Sequence, residues 1–411
     1  MDSLRPHLVV VGAGMVAARF LHELAQRAPN RFRITLIGKE DTAPYDRVQL
    51  SAVLAGTHSA RALDLMGEVR DQLDLTVQLG TAVTGLDPVA RRVTLACGTE
   101  IAFDLAVLAT GSEAVRLPLP GGDLAGVRTF RDLADVEALS TASGRAVVIG
   151  GGLLGLEAAA GLRARGLDVA LVHLMPWLME RQLDEAGGAA LAAAMTRLGI
   201  ELHLGAKSEA IEADATGLVL ELEGGTQLPA DLVVMAVGVR PHVVLARDAG
   251  LACNHGIVVD DGLKTSAESV FALGECVEHR GTCYGLVWPL YAQARVLAQR
   301  LTGESKARFE GATPFTSLKV AGVEVFSAGA TGGDDELILR DPTQGIHRKL
   351  VLADGRLKGA VLVGDAAEGA WYAELIEQGV AVDAWRDRLM FGRAYVPEAT
   401  ADEPPLAVAA A

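Results

Sequence analysis

Cysteine is scarce in this chain. Its 411 residues hold four, Cys97, Cys253, Cys276 and Cys283, with no C-x-x-C pair and no cluster at ligand spacing. That argues against a zinc ribbon, an iron–sulfur cluster and a dithiol redox site of the usual kind, and leaves no expected metal site. Cys276 and Cys283 lie close in sequence and read as small buried or loop thiols. Cations are also outnumbered: 37 Lys and Arg against 52 Asp and Glu give a net charge of −15. Such a balance disfavours wrapping nucleic acid or an anionic membrane. No apolar run approaches the ~20 residues that span a bilayer. The first residues lack a basic stretch, and the apolar run 8–11 is short for a signal peptide. The expectation is a cytoplasmic chain. What is present, 50% hydrophobic and 22% charged residues, suits a globular protein of two or three domains at ~100–200 residues each.

Short, β-branched, almost wholly apolar segments recur at 8–11, 33–37, 105–109, 146–149, 169–172 and 232–236. Such runs suit strands buried on both faces of a parallel sheet. Between them, 15–27, 153–165 and 185–198 space their apolar residues helically. The pattern predicts an α/β fold. Residues 7–37 and 144–172 follow one plan of strand, glycine turn, helix and strand, so the fold reads as a duplicated nucleotide-binding unit. Beyond about residue 311 the texture changes. Segments 315–325, 346–352 and 357–363 alternate and are joined by turns such as Asp354-Gly355, which predicts a small antiparallel sheet. Residues 368–387 read as one helix, and 397–411, rich in Ala, Pro and Glu, as a flexible tail.

Two glycine strings carry chemistry. Gly12-Ala13-Gly14-Met15-Val16-Ala17 follows the first strand directly. In a G-x-G-x-x-A string Gly12 permits the tight turn, Gly14 lets a diphosphate approach the backbone, and Ala17 lets helix and strand pack closely. The helix N-terminus supplies amide donors. With 46 glycines in 411 residues, a bare G-x-G-x-x-G arises about half a time by chance, so the strand before and helix after carry the argument. Glu40, 26 positions past Gly14, is the candidate for an adenosine ribose, with Lys39 beside it. The second string is Gly150-Gly151-Gly152-Leu153-Leu154-Gly155, in which Gly150, Gly152 and Gly155 take the same three roles. His173 closes its second strand, where an NAD site commonly carries an acid. A histidine does not repel a 2′-phosphate as a carboxylate would, and NADH versus NADPH stays open.

Further residues resemble the FAD-dependent pyridine nucleotide–disulfide oxidoreductase superfamily. Leu108-Ala109-Thr110-Gly111 resembles its A-T-G turn, and Val237-Gly238-Val239-Arg240-Pro241 its G-x-x-P turn. The stretch from Thr265 to Gly274-Glu275 resembles its second FAD motif, with Glu275 where the family has an aspartate that binds a ribityl hydroxyl. Pro44-Tyr45-Asp46-Arg47-Val48-Gln49-Leu50-Ser51 resembles the signature Y-[DE]-R-x-x-L-S of the ferredoxin, rubredoxin and nitrite reductase subgroup, in which the arginine, here Arg47, lies against the flavin. Two departures stand out. Ala52 replaces a usual lysine, and no cysteine precedes Ala96, which excludes a thiolate beside the flavin in the manner of the peroxidase and oxidase relatives. Gly14-Met15-Val16, Tyr45-Asp46-Arg47-Val48, the seven residues from Leu178 to Asp184, Gly274-Glu275-Cys276 and Tyr284-Gly285-Leu286-Val287 look most like the flavin-binding amino-terminal part of assimilatory NAD(P)H nitrite reductase large subunits, over about residues 7–395.

The resemblance implies two Rossmann-like dinucleotide-binding domains and a small α+β carboxy-terminal domain. The FAD domain would be discontinuous, 1–113 and 242–310; the NAD(P)H domain would be 114–241, and the interface domain 311–396. It implies FAD as cofactor, NAD(P)H as co-substrate, and hydride transfer to flavin N5, with Glu157 toward the nicotinamide. Residues 284–291 would close over the flavin pyrimidine, with Trp288 gating or merely packing. Full-length members continue into cysteine-ligated iron–sulfur and sirohaem segments. The expectation is therefore a reductase component that hands electrons to a separate iron–sulfur, molybdenum or sirohaem protein. A homodimer is left open. The alternatives are a stand-alone ferredoxin or rubredoxin reductase and a flavin-binding redox sensor resembling apoptosis-inducing factor.

Overall fold

The computed structural model describes residues 5–67, 69–215, 217–312, 315–320 and 322–396; the expected tail lies outside them. Chain contacts form two compact units. One joins residues up to Leu178 with Met195–Pro314, and the other joins Met179–Ala194 with the chain from Phe315 onward.

The first unit holds two five-stranded parallel sheets. In one the order is Val270–Ala272, Leu105–Leu108, His7–Val11, Arg33–Ile37, Asp74–Gln78. Its central strands are apolar and buried on both faces: Leu8, Val9 and Val10 have no exposed surface, nor do Val107 and Leu108. The other runs Ile200–Leu204, Asp168–His173, Arg145–Ile149, Leu232–Met235, Val127–Thr129. In each sheet the strand following the glycine turn's helix lies beside the first. A three-stranded antiparallel meander precedes the return strand in both cases, Val83–Asp87 through Glu100–Ala102 in one and Ser208–Asp214 through Gln227–Ala230 in the other. The duplication expected from 7–37 and 144–172 therefore extends to four strands of each sheet; the fifth, at one edge, comes late in the chain in the first sheet and ahead of the glycine turn in the second. Two short strands, Ser112–Ala114 and Val239–Pro241, pair antiparallel where the chain passes between them.

The second unit is a five-stranded antiparallel sheet in the order Phe315–Val320, Val323–Gly329, Arg356–Val363, Ile346–Ala353, Asp335–Asp341. Helix Gly369–Gln378 covers it through Tyr372 and Leu375, which join Phe326, Leu350 and Leu362 in one core. Asp354 and Gly355 make the expected hairpin turn, both at positive φ. Three details differ from expectation. The segment 315–325 covers parts of two strands, because Gly322 at φ +80 turns the chain. Asp335–Asp341 is an additional strand. The helix expected over 368–387 stops at Gln378: Gly379 adopts φ +60 and returns its N–H to Ile376 and Leu375, a left-handed terminator that L-residues with side chains adopt at a cost.

Candidate functional site

The two glycine turns repeat one geometry. Gly12 follows the strand His7–Val11 at φ +110, and a Cβ there would lie 2.1 Å from the Ala109 carbonyl oxygen. Only glycine fits. Its N–H donates to the Ile37 carbonyl at 2.8 Å, tying the turn to the neighbouring strand. Gly150 occupies the equivalent place at φ +123, with its notional Cβ 2.3 Å from the Ala236 carbonyl oxygen. Gly14 and Gly152 behave oppositely. Each precedes its helix, Met15–Arg27 or Leu153–Ala164, in ordinary extended backbone and without a side-chain cap. A Cβ on either meets nothing within 4 Å. Both helix N-termini thus open their unpaired amides onto space beside the backbone, a cradle suited to a diphosphate. The small third residues keep helix and strand close: Ala17 is fully buried, and a Cβ on Gly155 would sit 1.9 Å from the Gly150 carbonyl oxygen.

Around the first turn the sequence candidates meet. Glu40 accepts a hydrogen bond from the Tyr45 hydroxyl at 2.7 Å and a salt bridge from Arg47. The Arg47 guanidinium also lies 4.8 Å from the Tyr45 ring centroid and donates to the Arg131 carbonyl at 3.2 Å. Burial, with Glu40 alongside, pushes the Tyr45 phenol up from its ordinary range. Thr110 donates its hydroxyl to the His242 carbonyl at 2.8 Å, and Gly111 turns at φ +65. The His242 N–H donates to the Gly111 carbonyl at 2.9 Å, while at the other end of the short ladder Gly238 turns at φ +114 and accepts the Val115 N–H at 3.0 Å. The Pro241 end of the G-x-x-P stretch, read separately in sequence, therefore adjoins the A-T-G turn. Glu275 takes a hydrogen bond from the Ser112 hydroxyl at 2.7 Å and a salt bridge from Arg131.

Arg131 is the residue that the sequence reading missed. It lies between the edge strand Val127–Thr129 and helix Leu133–Ser140, and its backbone N–H is held by Asp135 at 2.8 Å. Its guanidinium reaches Glu275 and, at 2.8 Å, Ser112, and its Nε is buried with no hydrogen-bond partner among the described residues. No local pattern announces this, because the partner is 144 positions away. The open amides at Gly14 and a guanidinium with a spare buried donor fit an anionic dinucleotide such as FAD.

The second turn has different neighbours. His173 turns its ring beneath the loop: Nδ1 accepts the Gly151 N–H at 3.1 Å, which places the ring proton on Nε2 in the neutral form. A Cβ on Gly151 would be 2.6 Å from that ring. The two residues after His173, Leu174 and Met175, are exposed and apolar. Glu157, on the helix Leu153–Ala164, is half-buried, and loss of solvent pushes its carboxyl up to about 7.

Helix Val287–Leu301 starts within the stretch expected to close over a flavin, and packs on helix Met15–Arg27. Trp288, in its first turn, is 40% exposed and so is not a core residue. Tyr284, Gly285, Leu286 and Pro289 border a cavity of about 290 Å³ at this helix start. Cys276 is fully buried, and burial pushes its thiol up, which makes it a poorer nucleophile, while Cys283 is exposed. Among the described residues no group of three or more His, Cys, Asp or Glu is placed to hold a metal ion, and no helix is long and apolar enough to cross a membrane.

Comparison with known proteins adds to this geometry. Residues 6–296 match the family model described as pyridine nucleotide-disulphide oxidoreductase, and residues 314–380 match the rubredoxin NAD+ reductase carboxy-terminal domain. The chain is 40% identical over 381 residues to a Bacillus subtilis protein named nitrite reductase [NAD(P)H], covering 91% of this chain and 47% of that one. It is 35% identical to the assimilatory nitrate reductase electron transfer subunit of the same organism, covering 89% and 48%. The chain thus spans about half the length of these curated relatives. Among solved structures, the putidaredoxin reductase–putidaredoxin complex matches with a TM-score of 0.83 at 26% identity, covering 92% of this chain and 94% of that one.

Proposed function

The chain belongs to the pyridine nucleotide-disulphide oxidoreductase family, and from that premise we propose that it is the electron-transfer flavoprotein of an assimilatory nitrate or nitrite reductase system. It is an NAD(P)H oxidoreductase that binds FAD. Gly12, Gly14 and Ala17 form the seat for the FAD diphosphate, and Glu40 faces the adenosine ribose. Arg47, Arg131 and Glu275 hold the flavin end, with Thr110, Gly111, Gly238 and Gly274 shaping the turns around it. Gly150, Gly152 and Gly155 seat the coenzyme diphosphate, and His173 braces that loop. Bound FAD supplies the hydride acceptance and the onward release of electrons that side chains lack. The protein's own part is to orient the two nucleotides and to exclude water. Glu157 sets the charge on the nicotinamide side.

The observation that carries this reading is the 35–40% identity to nitrate and nitrite assimilation proteins over nine-tenths of the chain. The partner follows as a separate iron–sulfur, molybdenum or sirohaem protein. A second reading, a ferredoxin or rubredoxin reductase, is favoured by the match of residues 314–380 to the rubredoxin reductase carboxy-terminal domain, while Ala52 stands where those reductases usually carry lysine. The test is NAD(P)H-driven reduction of purified acceptors: a molybdenum nitrate reductase, a sirohaem nitrite reductase, a ferredoxin and a rubredoxin. Fast turnover with either of the first two supports the proposal. Fast turnover with ferredoxin or rubredoxin alone replaces it with the second reading. A long-lived charge-transfer complex without acceptor turnover points instead to a redox sensor.

A further inference from the structure

Helix Val287–Leu301 buries one polar side chain completely. Gln293 has 0% of its surface exposed, among the apolar Leu290, Ala294 and Leu297. Its Oε1 accepts the Gly274 N–H at 2.8 Å. The donor fixes the orientation of the amide, since a flipped side chain would set two N–H groups against each other. The other half, Nε2, is buried with no hydrogen-bond partner among the described residues. Buried amide donors are seldom left unpaired, and a leucine would fill such a core position without that cost.

The location gives the amide a use. Gly274 turns at φ +94 and carries the chain into Glu275, the carboxylate gripped by Arg131 and Ser112. A Cβ on Gly274 would lie 3.6 Å from Val16, two residues past Gly14. Gln293 therefore stands at the junction of the Gly274 turn and the first glycine turn, beside the open helix N-terminus. We propose that Gln293 is a positioning residue of the flavin site: its carbonyl half fixes the Gly274–Glu275 turn, and its NH2 half donates to an acceptor of the bound flavin nucleotide. The proposal rests on the FAD reading of this site.

The full chain is stripped of flavin and titrated with FAD, following flavin fluorescence, the visible absorption and circular dichroism bands, and exchange of the Gly274 amide hydrogen. Gln293→Leu removes both halves of the side chain. FAD affinity falls about tenfold or more, the loss typical of one buried polar contact, the visible bands shift, and Gly274 exchanges faster. Gln293→Met removes the same groups at nearly the same volume and carries the test if the leucine variant does not fold. Unchanged affinity and bands in both variants overturn the proposal, and faster Gly274 exchange with wild-type FAD affinity overturns its donor half. A wild-type chain that takes up no FAD defeats the FAD reading itself.

Discussion

The two glycine turns are near copies in backbone and unlike in surroundings. The first is ringed by interlocked charges: Glu40 with Tyr45 and Arg47, and Glu275 with Arg131 and Ser112. Near the second stand the half-buried Glu157, His173, whose Nδ1 accepts the Gly151 N–H, and the exposed Leu174 and Met175. On the proposed assignment the same cradle serves once for a resident FAD and once for a visiting coenzyme. Many fixed polar groups hold a ligand for the life of the protein, because their ordering is completed on folding and not repeated at each binding event. A coenzyme must instead arrive and leave in every turnover.

The sharpest way to break that contrast is to fill each cradle. Sequence alone suggests that a branched residue at Gly14 yields a poorly folded, colourless product. The structure gives a Cβ there no neighbour within 4 Å, so Gly14→Val should fold and lose its flavin, with affinity reduced ~100-fold or more, about 2.7 kcal/mol. Gly152→Val should stay yellow and show a KM for NAD(P)H raised at least about tenfold. Absorbance at 450 nm after purification and steady-state kinetics check both, and a yellow Gly14→Val with normal flavin content sinks the assignment. Next in size is Arg131→Met. It strands Glu275, and should lower FAD affinity and stability by about 1–3 kcal/mol, read by titration and thermal melting.

Glu157 tests the other side. Its folded-state pKa, about 7, lies above its ordinary 4.5, so stability that is full below pH 4.5 declines as pH rises through 7. Glu157→Gln should therefore stabilise the chain more at pH 8 than at pH 6. Departure of hydride leaves positive charge on the nicotinamide, which a carboxylate favours. Flavin reduction should speed up several-fold through pH 7 in the wild type and stay flat in Glu157→Gln; stopped-flow profiles with the same slope in both would remove Glu157 from the coenzyme site. The smallest effect is expected at His173. Its loss leaves the Gly151 N–H without that acceptor, worth about 1 kcal/mol, so His173→Ala should raise KM a few-fold for NADH and NADPH alike. A change in their ratio would show instead that this ring reads the ribose.

The sequence made both cradles legible because their requirements are local: a strand, a glycine that must turn, a helix that must start. Thr110, Gly111 and Gly238 were legible as turns, though the pairing of the strands that follow them was not. Arg131 was invisible, since an arginine before a helix is ordinary until Glu275 arrives from far along the chain. The second unit hid more. His347, Arg348 and Lys349 look like surface residues, yet all three are buried, with His347 hydrogen-bonded to Asp184 and the Lys349 charge met by Asp184 and Glu336. Burial pushes the Asp184 carboxyl up, but hydrogen bonds from His347 and Gly187 and the charges of His347 and Lys349 outweigh it and hold the group down to about 2. The stop at Gly379 had a readable cue in the glycine, overridden by the helical spacing beyond it. The strand Asp335–Asp341 had no strict alternation to reveal it.

The strands Ser112–Ala114 and Val239–Pro241 pair through only three residues, so the chain enters and leaves the segment proposed to seat the coenzyme at adjacent points. That stem is not the whole attachment. Arg131 reaches out of the segment to Glu275, Arg165 donates to the Leu54 carbonyl, and Met179–Ala194 packs with the second unit. An engineer who exchanged the segment for one accepting another reductant would have to carry those three ties across with it.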